Sequence, residues 1–222
     1  MIFLDYERNK AGTYYIAGVS DGGGVSQIVL NEKLRGLAVH HSFKITTPVT
    51  FTFELLNEAV KKKDVIAAYS EAEKKYINEI LSSNRSEFRD VKYLNMAKAA
   101  KKWANKYHHE EFNALPPLVV GANQYDQARH RNSLASISRL IANSAPNDYA
   151  IGHTTQRFNQ VISALEHRNQ NYAELTATQK GKATRALKHN KFDVSAMLKL
   201  YTRIKADNET IIEKATSPLF EH

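Results

Sequence analysis

An α/β fold built on a mixed sheet is the class the sequence predicts, and three observations predict it. Runs rich in β-formers, Ile2–Glu7, Thr13–Val19 and Val25–Leu30, follow one another across turn sequences, as antiparallel strands do. Farther on, Asp64–Tyr69 is apolar almost throughout, the character of a parallel strand covered on both faces. Beyond Asn95 the pattern is almost wholly helical. Antiparallel strands, a helix, a parallel strand and then helices make an α/β order. With 222 residues, 42% of them hydrophobic, the chain supplies one core, so a single domain over residues 1–222 is expected, its helical part at about 95–206.

The first strand carries Asp5 and Glu7. Side chains alternate along a strand, so these two carboxylates share a face, about 7 Å apart, while Ile2, Leu4 and Tyr6 take the other. The chain turns near Asn9–Gly12 into the second strand. Asp21-Gly22-Gly23-Gly24 then reads as a hairpin turn and not as a phosphate cradle, because no helix follows and no G-K-[ST] completes it. In the third strand Ile28 and Leu30 alternate with Gln27 and Val29. From Thr52 a helix is expected, with Phe53, Leu55, Leu56 and Val60 on one side and Lys61-Lys62-Lys63 at the end where cations suit the dipole.

Ser70 opens the helix after the parallel strand, with Tyr76, Ile77, Ile80 and Leu81 as its core stripe, and Arg89–Leu94 is a further strand. Asn95 is a good N-cap for a helix to about Tyr107. Pro116-Pro117 and Gly121 mark a loop before a helix at about Leu134–Ala142, and Asn143–Gly152, with Pro146 and Asn147-Asp148, is irregular. Three more helices fit at about Thr155–His167, Thr176–Lys188 and Asp193–Lys205. Thr176 and Gln179 form a capping-box pattern, and Val194, Met197, Leu198, Tyr201 and Ile204 a core stripe.

Composition narrows the chemistry. Lys and Arg outnumber Asp and Glu by 31 to 23, a net charge of +8 that favours a polyanionic partner such as nucleic acid. The absence of cysteine excludes disulfides, thiolate nucleophiles and Cys-ligated zinc. A metal would be held by oxygen or imidazole, which points to magnesium or manganese on carboxylates. The apolar runs are short and the chain opens directly into a strand, so a cytoplasmic protein with no membrane partner is expected.

Four acidic residues and one histidine are the candidate site. Asp5 and Glu7 side by side are costly unless a cation sits between them; an edge strand with one solvated face is the alternative. Glu73 stands in the first turn of the helix after the parallel strand, where ligands of open α/β sheets gather, although Ser70-x-x-Glu73 also fits a capping box. His189 and Asp193, four apart, share a face if the segment is helical, either as a solvated pair or as an imidazole beside a metal-holding carboxylate. The pairs His40-His41 and His108-His109 lack metal-helix spacing and read as surface or loop residues.

In this order, D-x-E on the first strand, Tyr69-x-x-x-Glu73 after a strand, and a late helix with an imidazole four residues before Asp193-Val194, the chain resembles the DEDD superfamily of exonucleases with a ribonuclease H-like fold. The stretch Ala68–Lys74 resembles its branch of predicted RecB-associated nucleases, and the resemblance spans residues 1 to about 205. It implies a ribonuclease H-like mixed sheet, three antiparallel N-terminal strands plus parallel ones, and hydrolysis of nucleic-acid phosphodiesters from the 3′ end with two divalent ions, Mg2+ or Mn2+. By position, Asp5, Glu7, Glu73 and Asp193 become the metal ligands and His189 the general base. The chain departs from the pattern twice. Glu73 stands where aspartate is usual, and His189 has the spacing of members with tyrosine there, histidine members having five residues. Tyr201, Asn190 or a water without a side-chain base are the alternatives to His189. Lys98 and Lys102, on one helix face with Lys106 and beside Lys101, and Lys188 and Lys191, flanking the proposed centre, are candidate phosphate contacts, as is Arg129-His130-Arg131. A catalytically inactive nucleic-acid-binding or assembly module of the same fold is the alternative function.

Overall fold

The computed structural model describes residues 1–81, 85–116, 131–146, 149 and 153–220. Pro117, Gly121, Arg129, His130, Asn147, Asp148 and Gly152 lie outside the described residues. Strands β1 (Ile2–Arg8), β2 (Tyr14–Ser20), β3 (Ser26–Val29), β4 (Lys44–Ile45), β5 (Val65–Ala68), β6 (Lys92–Asn95) and β7 (Thr216–Pro218) form one sheet of seven strands in the order β4-β3-β2-β1-β5-β6-β7. β1, β2 and β3 are antiparallel neighbours, and β5 and β6 run parallel to β1 and to each other. The protein is thus α/β with a mixed sheet and a helix-rich C-terminal half.

The alternation read in β1 sorts its side chains between two layers. Ile2, Leu4 and Tyr6 join Phe51, Leu55 and Leu56 of α2 (Pro48–Lys62) and Ile77 of α3 (Glu71–Ile80) on one face. Phe3, from the opposite face, packs with α4 (Met96–Tyr107) and with Val194, Met197 and Leu200 of the long C-terminal helix. Asp5 and Glu7 therefore open onto the helical side of the sheet. A third cluster joins Tyr15 and Val29 to α1 (Arg35–His41) and α7 (Thr154–Glu166).

Caps behave as the local chemistry dictates. The Asn95 side chain accepts from Lys98 N, and Thr176 and Gln179 complete a reciprocal capping box. α2 begins four residues before Thr52, because Thr47 caps it and Pro48 is preorganised for a first helical position. The expected strand at Arg89–Leu94 forms at Lys92–Asn95. Two short helices join the expected ones: α1, which carries His40 and His41 in its last turn, and α5 (His109–Ala114). His40 is exposed, stacked on Tyr172 at 4.3 Å between ring centres.

The main correction concerns the C-terminal helices. In place of a break at Lys188, helical backbone runs on through Lys191 and Asp193, and α8 (Ala177–Ala215) is two helical stretches joined across a kink at Asn208, close to the expected end at Lys205. The polar run His189-Asn190-Lys191 looks like an interruption in sequence, but His189 and Asn190 are buried against the sheet and held there by tertiary contacts. The expected helix at Leu134–Ala142 is α6 (Leu134–Ile137) followed by a 3-10 turn, Ser138–Ile141. Among the described residues no helix is long and apolar enough to cross a membrane.

Gly18 sets how closely α8 approaches the sheet. It lies between Asp5 and Gln27 in the cross-strand row, and a Cβ there would meet Asn190 Oδ1 at 2.5 Å and Val194 Cγ2 at 2.8 Å. Gly18→Ala is expected to push the helix outward and to destabilise the fold by about 1–3 kcal/mol. Urea unfolding checks this; an unchanged midpoint would show that the helix has room to move.

Candidate metal centre

Strand β1 supplies Asp5 and Glu7, the first turn of α3 supplies Glu73, and one face of α8 supplies His189 and Asp193. Glu7, Glu73 and His189 keep only 9%, 8% and 8% of their surface. The Asp193 side chain is 15% exposed, which opens the cluster to solvent. Ligand atoms of Glu7, His189 and Asp193 all lie within 4.8 Å of one another. Every pair among the four carboxylates is close enough for mutual repulsion to raise a pKa.

The electrostatics are those of a site lacking its counter-charge. Burial, opposed by a hydrogen bond from Asn190, lifts Asp5 from 3.8 to about 6. Burial first, then the charge on Asp5, lifts Glu73 from 4.5 to about 7, with the Ser70 hydroxyl and nearby amides pulling the other way. Glu7 and Asp193 are held well above the usual carboxylate range, again by burial and then by their acidic neighbours. Among the described residues no Lys or Arg forms an ion pair with any of the four. Arg8, next to Glu7 in the chain, is drawn away to Glu79 at 2.9 Å and lies over Tyr76.

Neutral donors hold the carboxylates in place. Asn190 Nδ2 donates to Asp5 Oδ2 at 2.7 Å, and Asn190 Oδ1 accepts from Gln27 Nε2 at 2.9 Å. The Ser70 hydroxyl donates to Glu73 Oε2 at 2.8 Å while its oxygen caps α3 at Ala72 N. Glu73 is therefore tied to the helix cap and part of the acidic cluster at once. Tyr149 OH donates to Asp193 Oδ1 at 2.9 Å. Asp5, Glu73 and Asp193 are thus each held by a neutral donor, the orienting arrangement that metal-binding carboxylates require. These oxygen donors, partly buried and with no Lys or Arg ion-paired to them among the described residues, fit a divalent ion.

His189 stands four residues before Asp193 on a continuous helix, with Nε2 at 3.3 Å from Asp193 Oδ2. Its ring stacks on Tyr149, centres 4.0 Å apart and planes within 8°. Burial first, and then the charge of Arg157, lowers its pKa from 6.5 to about 4, so the imidazole is neutral at pH 7. The ordinary value near 6.5 does not apply to it. Of the alternatives, Asn190 is fully buried and clasps Asp5, and Tyr201 packs edge-on against Phe3 at 5.6 Å.

Sequence reasoning missed Tyr149 and the Gly18–Gln27–Asn190 row. Tyr149 follows Pro146 in an irregular stretch with no periodicity to mark it. The row depends on strand register and on where α8 lands. Among the basic candidates, Lys98 is exposed but paired with Glu71 at 2.7 Å, whereas Lys102, Lys188 and Lys191 are exposed. Arg131 Nη1 donates to Asn113 Oδ1 at 3.3 Å. Compared with known proteins, the chain matches no family model, no curated protein and no solved structure.

Proposed function

We propose that this chain is a divalent-metal-dependent nuclease, hydrolysing nucleic-acid phosphodiesters from the 3′ end in the cytoplasm. One observation carries the reading: four carboxylates from a strand and two helices converge, partly buried, with no Lys or Arg partner among the described residues. A protein meets that electrostatic cost for a bound cation more readily than for packing. Asp5, Glu7, Glu73 and Asp193 would hold two Mg2+ or Mn2+ ions, whose charge balances theirs. When bound, such ions lower the pKa of an attacking water and stabilise the entering and leaving oxygens. The order of the elements agrees with the ribonuclease H-like resemblance, from which the polarity of cleavage is taken.

The chain's own residues do the rest. Asn190, Ser70 and Tyr149 orient the carboxylates, and the apolar layer of Phe3, Val194 and Met197 beneath them keeps bulk water out of the floor of the site. His189, neutral at pH 7, is placed to accept a proton from a water at Asp193, but a pKa near 4 makes it a weak base there. Lys188 and Lys191, exposed on the turns of α8 that carry His189 and Asp193, and Lys98 and Lys102 on α4, supply positive charge for the phosphate backbone.

A digestion panel of end-labelled DNA and RNA, single and double stranded, with and without Mg2+ or Mn2+, tests the function. Cleavage that requires the metal and proceeds from the 3′ end is expected. Salt-dependent binding without any cleavage would favour the inactive module instead. For the double variant Lys188→Ala/Lys191→Ala, the slope of log affinity against log salt should fall by roughly 1–1.5 on single strands; an unchanged slope would remove these lysines from the path.

A further inference from the structure

We infer that His189 is a metal ligand, joining Glu7 and Asp193 in a mixed nitrogen and oxygen site that takes manganese or another first-row transition ion in preference to magnesium. The inference rests on the reading of the cluster as a metal centre, and it moves His189 from general base to ligand. Ligand atoms of Glu7, His189 and Asp193 lie within 4.8 Å of one another. Donors around one transition ion sit about 2.0–2.2 Å from it, hence roughly 3–4 Å apart, so a small inward movement closes the set.

The ring itself supplies a second, independent observation. His189 is 8% exposed, and its Nδ1 is buried without a hydrogen-bond partner among the described residues. A buried polar atom left unpartnered is costly, and an imidazole so placed among carboxylates is suited to a cation. Tyr149 governs both α8 ligands. Its ring stacks on His189, and its hydroxyl holds Asp193 Oδ1, leaving Oδ2 facing the imidazole at 3.3 Å. The i, i+4 spacing on the helical backbone between His189 and Asp193 keeps the two donors on one face, as helix-borne metal sites require.

Donor type then decides the ion. Magnesium demands oxygen ligands in near-ideal octahedral geometry, whereas imidazole suits later first-row ions and accepts manganese. Asp5 and Glu73, both oxygen donors, remain for a second ion.

The test uses the full chain stripped of metal by chelation and then titrated separately with Mn2+ and Mg2+ by calorimetry. Electron spin-echo spectroscopy of the Mn2+-loaded protein is recorded in parallel. Wild type should show the 14N coupling of a coordinated imidazole. His189→Gln should lose that coupling and bind Mn2+ about tenfold or more weakly, with Mg2+ affinity changed by less than about threefold. Bound Mn2+ without nitrogen coupling in wild type overturns the ligand role and leaves the carboxylate centre standing. Failure of folded wild type to bind either ion overturns both. Because the wild-type spectrum is decisive alone, the test survives a variant that does not fold.

Discussion

Asp5→Asn is expected to abolish metal-dependent cleavage, by at least about 10³-fold or roughly 4 kcal/mol of transition-state stabilisation, and to raise the thermal stability of the metal-free protein. Both effects come from one charge. Asp5 raises the pKa of Glu7, Glu73 and Asp193, so removing it relieves repulsion on all three. An amide of the same shape keeps an oxygen that can accept from Asn190, whose Nδ2 now lies 2.7 Å from Asp5 Oδ2. A gain of about 1–2 kcal/mol in the presence of chelator is expected, reversing to a deficit against wild type when Mn2+ is added. Scanning calorimetry with and without metal reads the stability, and an end-labelled oligonucleotide assay reads the activity. Full residual cleavage would remove the metal-centre reading. Lower stability without metal would show that the carboxylate belongs to the fold's own hydrogen bonding.

The stability of the metal-free protein should fall as pH rises from about 4 to about 7. Asp5 and Glu73 have folded-state values near 6 and 7 against ordinary values of 3.8 and 4.5. Below the ordinary values both states are protonated and these groups cost nothing. Between the ordinary and the raised values the unfolded chain releases protons that the folded chain retains, so unfolding is increasingly favoured. Above about 7 the loss is complete. At about 1.4 kcal/mol per unit the loss is on the order of a few kcal/mol, and the groups share their repulsion, so their contributions do not add. Asp207 has the opposite sign: Trp103 and Arg203 lower its pKa, so its stabilisation is present at neutral pH and lost on acidification. Divalent ions should therefore raise the unfolding midpoint more at pH 8 than at pH 5. Urea unfolding across that range, with chelator and with Mn2+, checks it; a metal-free stability that stays flat or rises from pH 5 to 7.5 would defeat the reading.

Neighbouring-residue patterns were legible before any coordinates. Strand alternation put Asp5 and Glu7 on one face, opposite Ile2, Leu4 and Tyr6, and that is where they stand. The caps at Ser70, Asn95 and Thr176 were readable because capping is a transaction between residues three or four apart. The hydrophobic stripes of α3 and α8 were readable for the same reason.

Other features have no local signature. α8 runs unbroken through His189-Asn190-Lys191 because His189 and Asn190 are buried against the sheet, a fact that no propensity carries. β7 exists only because Thr216–Pro218 returns to the free edge of β6. Gly18 reads in sequence as an ordinary strand residue, and only the approach of Asn190 and Val194 explains why it lacks a side chain.

The sequence alone determined the kind of elements, the faces of the strands and which charged residues share a helix turn, since these follow from backbone periods of 2 and 3.6 residues. Only the tertiary structure decided that Asp5, Glu7, Glu73, His189 and Asp193 meet, that Tyr149 and Asn190 hold them, and that His189 is neutral. Convergence, burial and hydrogen-bond partners are set by how the helices pack on the sheet, and desolvation acts only once water has been excluded there.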